Sequence, residues 1–265
     1  MQLHVIDSGK DDRGEGVSHD TPPLVILHGL FGSADNWRSH IKQWQRSRRV
    51  LALDLRNHGR SGHQAGMQYE ALAEDVMETL TPLNLGRFDL LGHSMGGKVA
   101  MTVARQHGEQ LSHLIVADIS PVSYGHGHDE IFAAMRAVER AEPGSRKAAD
   151  DIMQEAIEIA ATRQFLATNL VRDDDGIMRW RVGLDEISDG YPSIIAPPGG
   201  EGAFTGKALL LRGETSPYVR PSHREAIEAM MPNVRLETIE GAGHWLHAEQ
   251  PKAFRDAVNR FLEET

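Results

Sequence analysis

Short, continuous runs of apolar residues recur along this chain and are separated by stretches with helical periodicity. The runs cover residues 24–27, 50–55, 88–91, 114–119, 208–211 and 234–239. Strands buried on both faces of a parallel sheet are apolar throughout, so these runs predict parallel strands. In residues 69–81, Leu72, Val76 and Leu80 recur every four positions, and residues 251–262 also carry an apolar stripe. Strands that alternate with helices indicate an α/β fold with helices on both faces of the sheet.

The alternation is interrupted in one long segment, residues 121–206. Helical patterns follow one another there, at 129–142, 148–162 and 163–171. A loop rich in Pro and Gly, IIAPPGGEGAF, closes the segment. We predict that residues 1–120 and 207–265 form the core and that residues 121–206 form a helical cap over the carboxyl edge of the sheet. The alternative is an additional helical layer that does not control access to a site.

The composition narrows the classes of function. The chain carries a formal net charge of −10, and its basic run RSRR at 46–49 is too short to neutralise a nucleic-acid backbone. Because there is no cysteine, a disulfide and a Cys-ligated zinc are excluded. The amino-terminal segment lacks the apolar core of a signal peptide, and no run of about 18 apolar residues occurs. We therefore expect a cytoplasmic protein with no membrane span; a homodimer is compatible with these features.

The strongest chemical signal is the motif Gly92-His93-Ser94-Met95-Gly96. It follows the predicted strand at 88–91 and precedes a helical stretch. A G-x-S-x-G sequence in this context is typical of a nucleophilic serine on a sharp strand-to-helix turn, where flanking glycines let neighbouring backbone pass closely. A plain turn is the alternative for an isolated motif. The strand–turn–helix context favours Ser94 as a nucleophile.

A serine nucleophile needs a general base, and His244 is the best placed of the 14 histidines. It lies in GAGHW at 241–245, between the last predicted strand and the terminal helix, so its loop can reach back over the sheet edge. We expect His28 to bond to backbone at a strand end, His93 to be a turn residue, and His247 to be a solvated or structural neighbour.

Two further histidines raise the question of a metal. His126 and His128 lie beside Asp129, which superficially resembles a set of metal ligands. No second cluster at a fitting spacing accompanies them, so we predict a solvated loop and no metal.

The loop that follows the first core strand carries a candidate oxyanion hole. It reads HGLFG at 28–32, and backbone N–H groups of such a loop can act together with the N–H after the nucleophile. Leu30 and Met95 are the predicted donors, although the same segment also reads as an ordinary Gly-rich turn. We expect Phe31, Tyr124 and Trp245 to contact a substrate.

Several segments together resemble the α/β-hydrolase superfamily. They are LHGLFGS, DLRNHGRSG, GHSMGGKVAM, ADISPVSY, LLLRGETSPYV and GAGHWLHAEQP. The resemblance is strongest to the small bacterial YbfF-type esterases and extends from about residue 22 to residue 262. It implies an eight-stranded, mostly parallel sheet with a helical cap after the sixth strand. It also implies hydrolysis of short to medium acyl esters and acyl-CoA thioesters without a metal or organic cofactor.

The resemblance also bears on the acid that would orient His244. In much of the superfamily this acid follows the strand after the cap, at the position of Ser216, which carries no carboxylate. Glu214 lies two residues earlier. Asp118, in LIVADIS before the cap, matches the alternative position of the YbfF-like pattern, and an acid there can hold the imidazole tautomer equally well. We favour Asp118, with Glu214 as the alternative and Ser216 as a hydrogen-bonding neighbour.

The resulting prediction is a serine hydrolase that acts on a small-molecule ester or thioester. Cofactor-free haloperoxidases and carbon–carbon bond hydrolases share the serine triad and remain alternatives. A homologue that binds a ligand without turnover is a third, although an intact set of Ser94, His244 and Asp118 argues against it.

Overall fold

A mostly parallel sheet forms the centre of the structure. The computed structural model describes residues 1–10 and 21–263. Its strands are β1 (Val5–Asp7), β2 (Leu24–Leu27), β3 (Val50–Leu53), β4 (Phe88–His93), β5 (Leu111–Ala117), β6 (Leu170–Arg172), β7 (Met178–Trp180), β8 (Lys207–Gly213) and β9 (Val234–Ile239). The order across the main sheet is β1-β3-β2-β4-β5-β8-β9, and β6 pairs separately with β7. Only the β1–β3 pair of the main sheet is antiparallel among the described strands.

Helices surround this sheet and fill the long insertion. They are α1 (Arg38–Trp44), α2 (Tyr69–Leu80), α3 (Met95–His107), α4 (Asp129–Ala141), α5 (Arg146–Met153), α6 (Ala160–Ala167), α7 (Leu184–Asp189), α8 (Tyr191–Ile195), α9 (Arg224–Met230), α10 (Leu246–Glu249) and α11 (Pro251–Leu262). Helices α4–α8 and the β6–β7 hairpin all lie between β5 and β8 in the chain.

Both faces of the sheet are covered at its centre, which explains why β2 and β3 are apolar throughout. In β2, Val25 and Leu27 belong to the core shared with α2, α3 and α9, whereas Leu24 and Ile26 belong to the core shared with α1 and α11. All four side chains are completely buried. Burial of one such side chain stabilises the fold by about 1.5–3 kcal/mol, so a polar residue at any of these positions would be costly.

The α/β-hydrolase architecture is confirmed, with a smaller sheet than predicted. The described residues give seven strands in the main sheet where we expected eight, and the insertion follows the fifth strand, β5, instead of the sixth. Only one strand, the three-residue β1, precedes β2 in the described part of the chain. Residues 11–20 and 264–265 of the predicted core lie outside the described residues.

The insertion differs from the predicted run of helices in two places. The helix predicted at 148–162 is two helices, because α5 ends at Met153 and α6 begins at Ala160. The carbonyls of Ile157 and Glu158 lie between the two helices, and the side chain of Arg163, in α6, donates to them at 2.8 and 2.9 Å, which satisfies them outside a helix. The prediction of helix through residue 171 is also wrong, since β6 begins at residue 170 and pairs with β7 across an Asp-Gly turn.

No helix in residues 1–10 and 21–263 has both the length and the apolar character that a membrane crossing requires.

Histidines and aromatic rings fill the space between α1, α10 and α11. His40 bonds through Nε2 to the carbonyl of His247 at 2.9 Å, and the His247 ring stacks on Trp37 with 4.5 Å between ring centroids. Both imidazoles also pack against Phe254. The structural alternative for His247 is therefore confirmed. Burial lowers the pKa of His40 to about 4 and the pKa of His247 to about 3.

Because these histidines are buried, we expect the free energy of unfolding to depend on pH. In the unfolded chain they take up protons below about pH 6.5, whereas in the fold burial keeps them neutral until pH 3–4. Their contribution to the free energy of unfolding is complete above about pH 6.5, and it is lost as the pH falls from about 6.5 to between 3 and 4. Each contributes a slope of at most about 1.4 kcal/mol per pH unit.

The measurement is urea denaturation between pH 7 and pH 4.5. We expect the free energy of unfolding to fall with pH, and the slope to be smaller in His40→Gln, whose amide can still donate to the same carbonyl. An identical slope in the variant would contradict this origin of the acid sensitivity.

Candidate active site

Ser94 lies at the tip of a turn that leads directly from β4 into α3. Its backbone has φ 53° and ψ −121°, in a region that non-glycine residues rarely occupy. The flanking glycines make this turn possible. A Cβ on Gly92 would lie 2.1 Å from the carbonyl oxygen of Gly96, and a Cβ on Gly96 would lie 2.4 Å from that of His28. Larger side chains are therefore excluded at both positions, as the motif predicted.

The hydroxyl of Ser94 is part of a continuous relay with two distant residues. Its Oγ lies 2.9 Å from Nε2 of His244, and Nδ1 of the same imidazole lies 2.7 Å from Oδ2 of Asp118. In the neutral ring, Nδ1–H donates to the carboxylate, which leaves Nε2 free to accept the serine proton. The structure thus brings together the three residues that we predicted as nucleophile, base and acid.

Asp118 directly follows β5 and is completely buried. Besides His244, its carboxylate accepts from the N–H of Gly213 at 2.8 Å and from the hydroxyl of Ser216. Each of these three partners is a hydrogen-bond donor, and such bonds compensate a buried acid for its loss of hydration. The expected contact of Ser216 near the histidine is present, on the same oxygen that His244 uses.

Glu214 points elsewhere. Its side chain is exposed, and Oε2 accepts from the N–H of Gly241 at 2.8 Å, at the start of the loop that carries His244. Glu214 therefore ties the base of this loop to the end of β8, whereas Asp118 contacts the imidazole itself.

Two further residues, His93 and Tyr218, hold the imidazole of His244 in place. His93, at the end of β4, donates through Nε2–H to the carbonyl of His244 at 2.8 Å. Burial keeps the pKa of His93 well below its usual value, so this ring stays neutral. Tyr218 stacks on the ring of His244, with ring centroids 4.1 Å apart. His93 is thus a strand-end residue that fixes the His244 loop, a contact that its predicted role as a turn residue did not include.

The remaining histidine predictions have clear outcomes. His28 bonds to backbone, as expected, through Nδ1 to the carbonyl of Gly29 at 2.8 Å and through Nε2 to the N–H of Leu55 at 3.0 Å. His126 is exposed, whereas His128 is partly buried and bonds to the hydroxyl of Tyr191 at 2.6 Å. His128 is therefore not a solvated residue, because its ring packs under α8. Within the described part of the chain, no three His, Cys, Asp or Glu side chains cluster as metal ligands would.

The two predicted oxyanion donors both lie beside Ser94. Met95 is the first residue of α3, where an N–H has no partner within the helix. Leu30 lies in the loop after β2, and its N–H donates to no acceptor among the described residues. Both are thus available to a negatively charged oxygen in front of Ser94.

Ser94 opens onto two compartments, with about 590 and 490 Å³ of unoccupied space that includes solvent at their mouths. Phe31 and Trp245 line the first, and Tyr124 lines the second, so all three predicted substrate contacts lie on compartment walls. The hydroxyl of Tyr124 is held by backbone, donating to the carbonyl of Tyr218 at 2.6 Å, which leaves the Tyr124 ring as part of the wall.

A buried lysine in the second compartment was not predicted. Lys98 is 1% exposed, and its ammonium donates to the carbonyls of Ile195 and Ala196 at the end of α8. The same Nζ lies 4.7 Å from the centre of the Tyr124 ring. Burial lowers the pKa of Lys98 to about 7. A lysine among the small and apolar residues of the first turns of α3 is the signal that could have indicated this contact.

Known proteins provide an independent comparison. The chain matches the family described as alpha/beta hydrolase fold over residues 22–251. It is 43% identical over 249 residues to the Mus musculus protein named sn-1-specific diacylglycerol lipase ABHD11, covering 91% of this chain and 81% of that protein. It is 36% identical over 249 residues to Esterase YbfF of Escherichia coli (strain K12), covering 93% and 95%.

A solved structure agrees with this assignment. The structure titled Marine microorganism esterase superimposes with a TM-score of 0.91 at 36% identity, covering 98% of this chain and 99% of that one. The predicted resemblance to YbfF-type proteins is confirmed. The chain belongs to the alpha/beta hydrolase fold family.

Proposed function

We propose that this protein is a serine hydrolase that cleaves carboxylic esters and acyl thioesters of short to medium chain length. In this proposal Ser94 is the nucleophile, His244 the general base and Asp118 the acid that orients it. The observation that carries the proposal is the unbroken relay of hydrogen bonds from Ser94 through His244 to Asp118. The similarity to proteins named esterases and lipases supports ester bonds as the target.

The first half-reaction acylates the serine. Nε2 of His244 takes the proton of Ser94 as Oγ attacks the carbonyl carbon, and the carbonyl oxygen becomes an oxyanion. Asp118 stabilises the imidazolium that forms. The imidazolium then returns the proton to the leaving alcohol or thiol, the bond from the carbonyl carbon to the leaving group breaks, and an acyl-serine remains.

The second half-reaction releases the acid. Water replaces the leaving group, His244 removes its proton, and attack on the acyl-serine forms a second oxyanion before Ser94 departs with the returned proton. In both steps the N–H groups of Leu30 and Met95 donate to the oxyanion. Such preorganised donors are each worth about 10²–10³ in kcat in other serine hydrolases.

Because Ser94 lies between two compartments, the two parts of the substrate would bind in different compartments. One compartment would hold the acyl chain and the other the leaving group, because the scissile carbonyl must sit at Ser94 where the two meet. Phe31, Trp245 and Tyr124 then contact these parts. Residues 121–206 contribute walls to both compartments, so we propose that they act as a cap that completes the substrate site.

Replacement of the nucleophile is the first test. We expect Ser94→Ala to lower kcat by on the order of 10⁴ or more for every ester that the wild type hydrolyses, since only binding and oxyanion effects would remain. The measurement is turnover of p-nitrophenyl acetate, butyrate and octanoate, together with acyl-CoA thioesters and a diacylglycerol. Turnover at the wild-type rate in Ser94→Ala would refute the proposal.

The identity of the acid is tested by a matched pair of substitutions. In Asp118→Asn the amide must turn an N–H toward one of the donors that contact the carboxylate, so we expect a loss of about 10³–10⁴ in kcat. Glu214→Gln retains an acceptor for Gly241 and should cost less than about tenfold, a change of under about 1.4 kcal/mol in the barrier. The reverse result would assign the role to Glu214.

A further inference from the structure

The loop that carries the proposed oxyanion donor Leu30 contains a strained residue. Phe31, the next residue, has φ 59°, in the left-handed region that a bulky side chain disfavours. Phe31 is also almost completely buried, with 2% of its surface exposed. Such conformations persist only where the surroundings restrain the backbone on several sides, and they concentrate at functional sites.

One restraint comes from the core. The N–H of Phe31 donates to Nε2 of His58 at 3.1 Å. His58 can accept there because its other nitrogen, Nδ1–H, donates to the carbonyl of Arg56 at 2.8 Å, which fixes the tautomer. Burial lowers the pKa of His58 to about 3, so the ring remains a neutral acceptor in the pH range of ester hydrolysis.

The other restraint comes from the insertion. Nδ2 of Asn169 donates to the carbonyl of Phe31 at 2.7 Å, across 138 residues of sequence. A carbonyl only accepts, which identifies the contacting atom of the amide as the nitrogen. Asn169 lies between α6 and β6 and is completely buried, and its backbone carbonyl accepts from the N–H of Arg181 at 2.8 Å. The backbone of Asn169 is therefore held within the insertion, while its side chain reaches the core.

From these contacts we infer that Asn169 is a positioning residue for the oxyanion hole. The inference rests on the proposed function. Asn169 holds the carbonyl of the Phe31–Gly32 peptide, and His58 holds the N–H of the Leu30–Phe31 peptide. Together they fix the backbone on the carboxyl side of Leu30 and so aim the N–H of Leu30 at the oxygen in front of Ser94. The oxyanion hole is complete only while the insertion is docked, which couples this segment to the chemical step and not merely to substrate binding.

A residue that only packs the insertion against the core would affect substrate binding and stability instead. Inhibition by an analogue of the tetrahedral intermediate distinguishes the two roles. A trifluoromethyl ketone adds Ser94 Oγ to its carbonyl carbon, and its oxygen becomes an oxyanion in the hole, while His244 retains the serine proton. The secondary alcohol with the same carbon skeleton has no carbonyl and cannot form this adduct, so it reports on binding alone.

The experiment compares Asn169→Ala and Asn169→Leu with the wild type and with His63→Ala. Leucine keeps the branched shape of Asn169 but has no hydrogen-bond donor. His63→Ala is the matched control, because it removes a different contact between core and insertion, from Nε2 of His63 to the carbonyl of Arg181 at 3.0 Å. Circular dichroism identifies a temperature at which all four proteins are folded, and all assays are made there.

For both Asn169 variants we expect kcat to fall by about 10- to 100-fold, with KM changed by less than about threefold. The inhibition constant of the trifluoromethyl ketone should rise by the same factor by which kcat/KM falls, and that of the alcohol should not change. His63→Ala should match the wild type in every readout.

Three results would overturn the inference. The first is wild-type kcat in both Asn169 variants. The second is equal weakening of the ketone and the alcohol, and the third is the same loss in His63→Ala. If the wild type hydrolyses no ester, or Ser94→Ala retains turnover, the proposed function fails as well. That outcome is distinct, because it is decided on proteins in which Asn169 is intact.

Discussion

The arrangement of the whole site depends on one imidazole that is held between two partners from other strands. His244, after β9, contacts Ser94 after β4 and Asp118 after β5, at 2.9 and 2.7 Å. Tyr218, in the loop after β8, stacks on the ring, and the loop that carries Leu30 follows β2. These five strands are consecutive in the sheet, in the order β2-β4-β5-β8-β9. A parallel sheet places their carboxyl ends along one edge, which is why residues over 100 positions apart meet there.

The same edge carries unfavourable backbone conformations. Phe31, Ser94 and Asp118 have φ values of 59°, 53° and 55°, each at a cost of about 1–3 kcal/mol. Hydrogen bonds that continue the sheet hold two of them, since the N–H of Ser94 donates to Ala117 at 2.9 Å and that of Asp118 to Leu211 at 2.8 Å. Phe31 lies outside the sheet, so side chains must provide its restraints. The buried strands supply the stability that offsets these costs.

Sequence patterns predicted the parts of the structure that depend on local chemistry. The apolar runs identified six strands of the main sheet, β2, β3, β4, β5, β8 and the largely exposed edge strand β9. The G-x-S-x-G motif identified Ser94 with its glycines. The strands of three residues, β1, β6 and β7, were missed because so short a segment has no resolvable period. The break between α5 and α6 was missed because no Gly or Pro marks it, and the carbonyls of Ile157 and Glu158 within it bond to the side chain of Arg163. The contacts of Tyr218 and Asn169 depend on the tertiary fold, which no spacing in the sequence reveals.

Covalent labelling measures most directly whether the relay activates Ser94. The protein is treated with an alkyl fluorophosphonate, and the adduct is located by mass spectrometry of proteolytic peptides. Ser94 Oγ displaces fluoride from phosphorus, and its proton passes to His244, so labelling requires the same base as acylation. We predict one label per chain, on Ser94, with labelling slowed by orders of magnitude in His244→Ala. A label on another residue, or labelling of Ser94 at the wild-type rate in His244→Ala, would contradict the central claim.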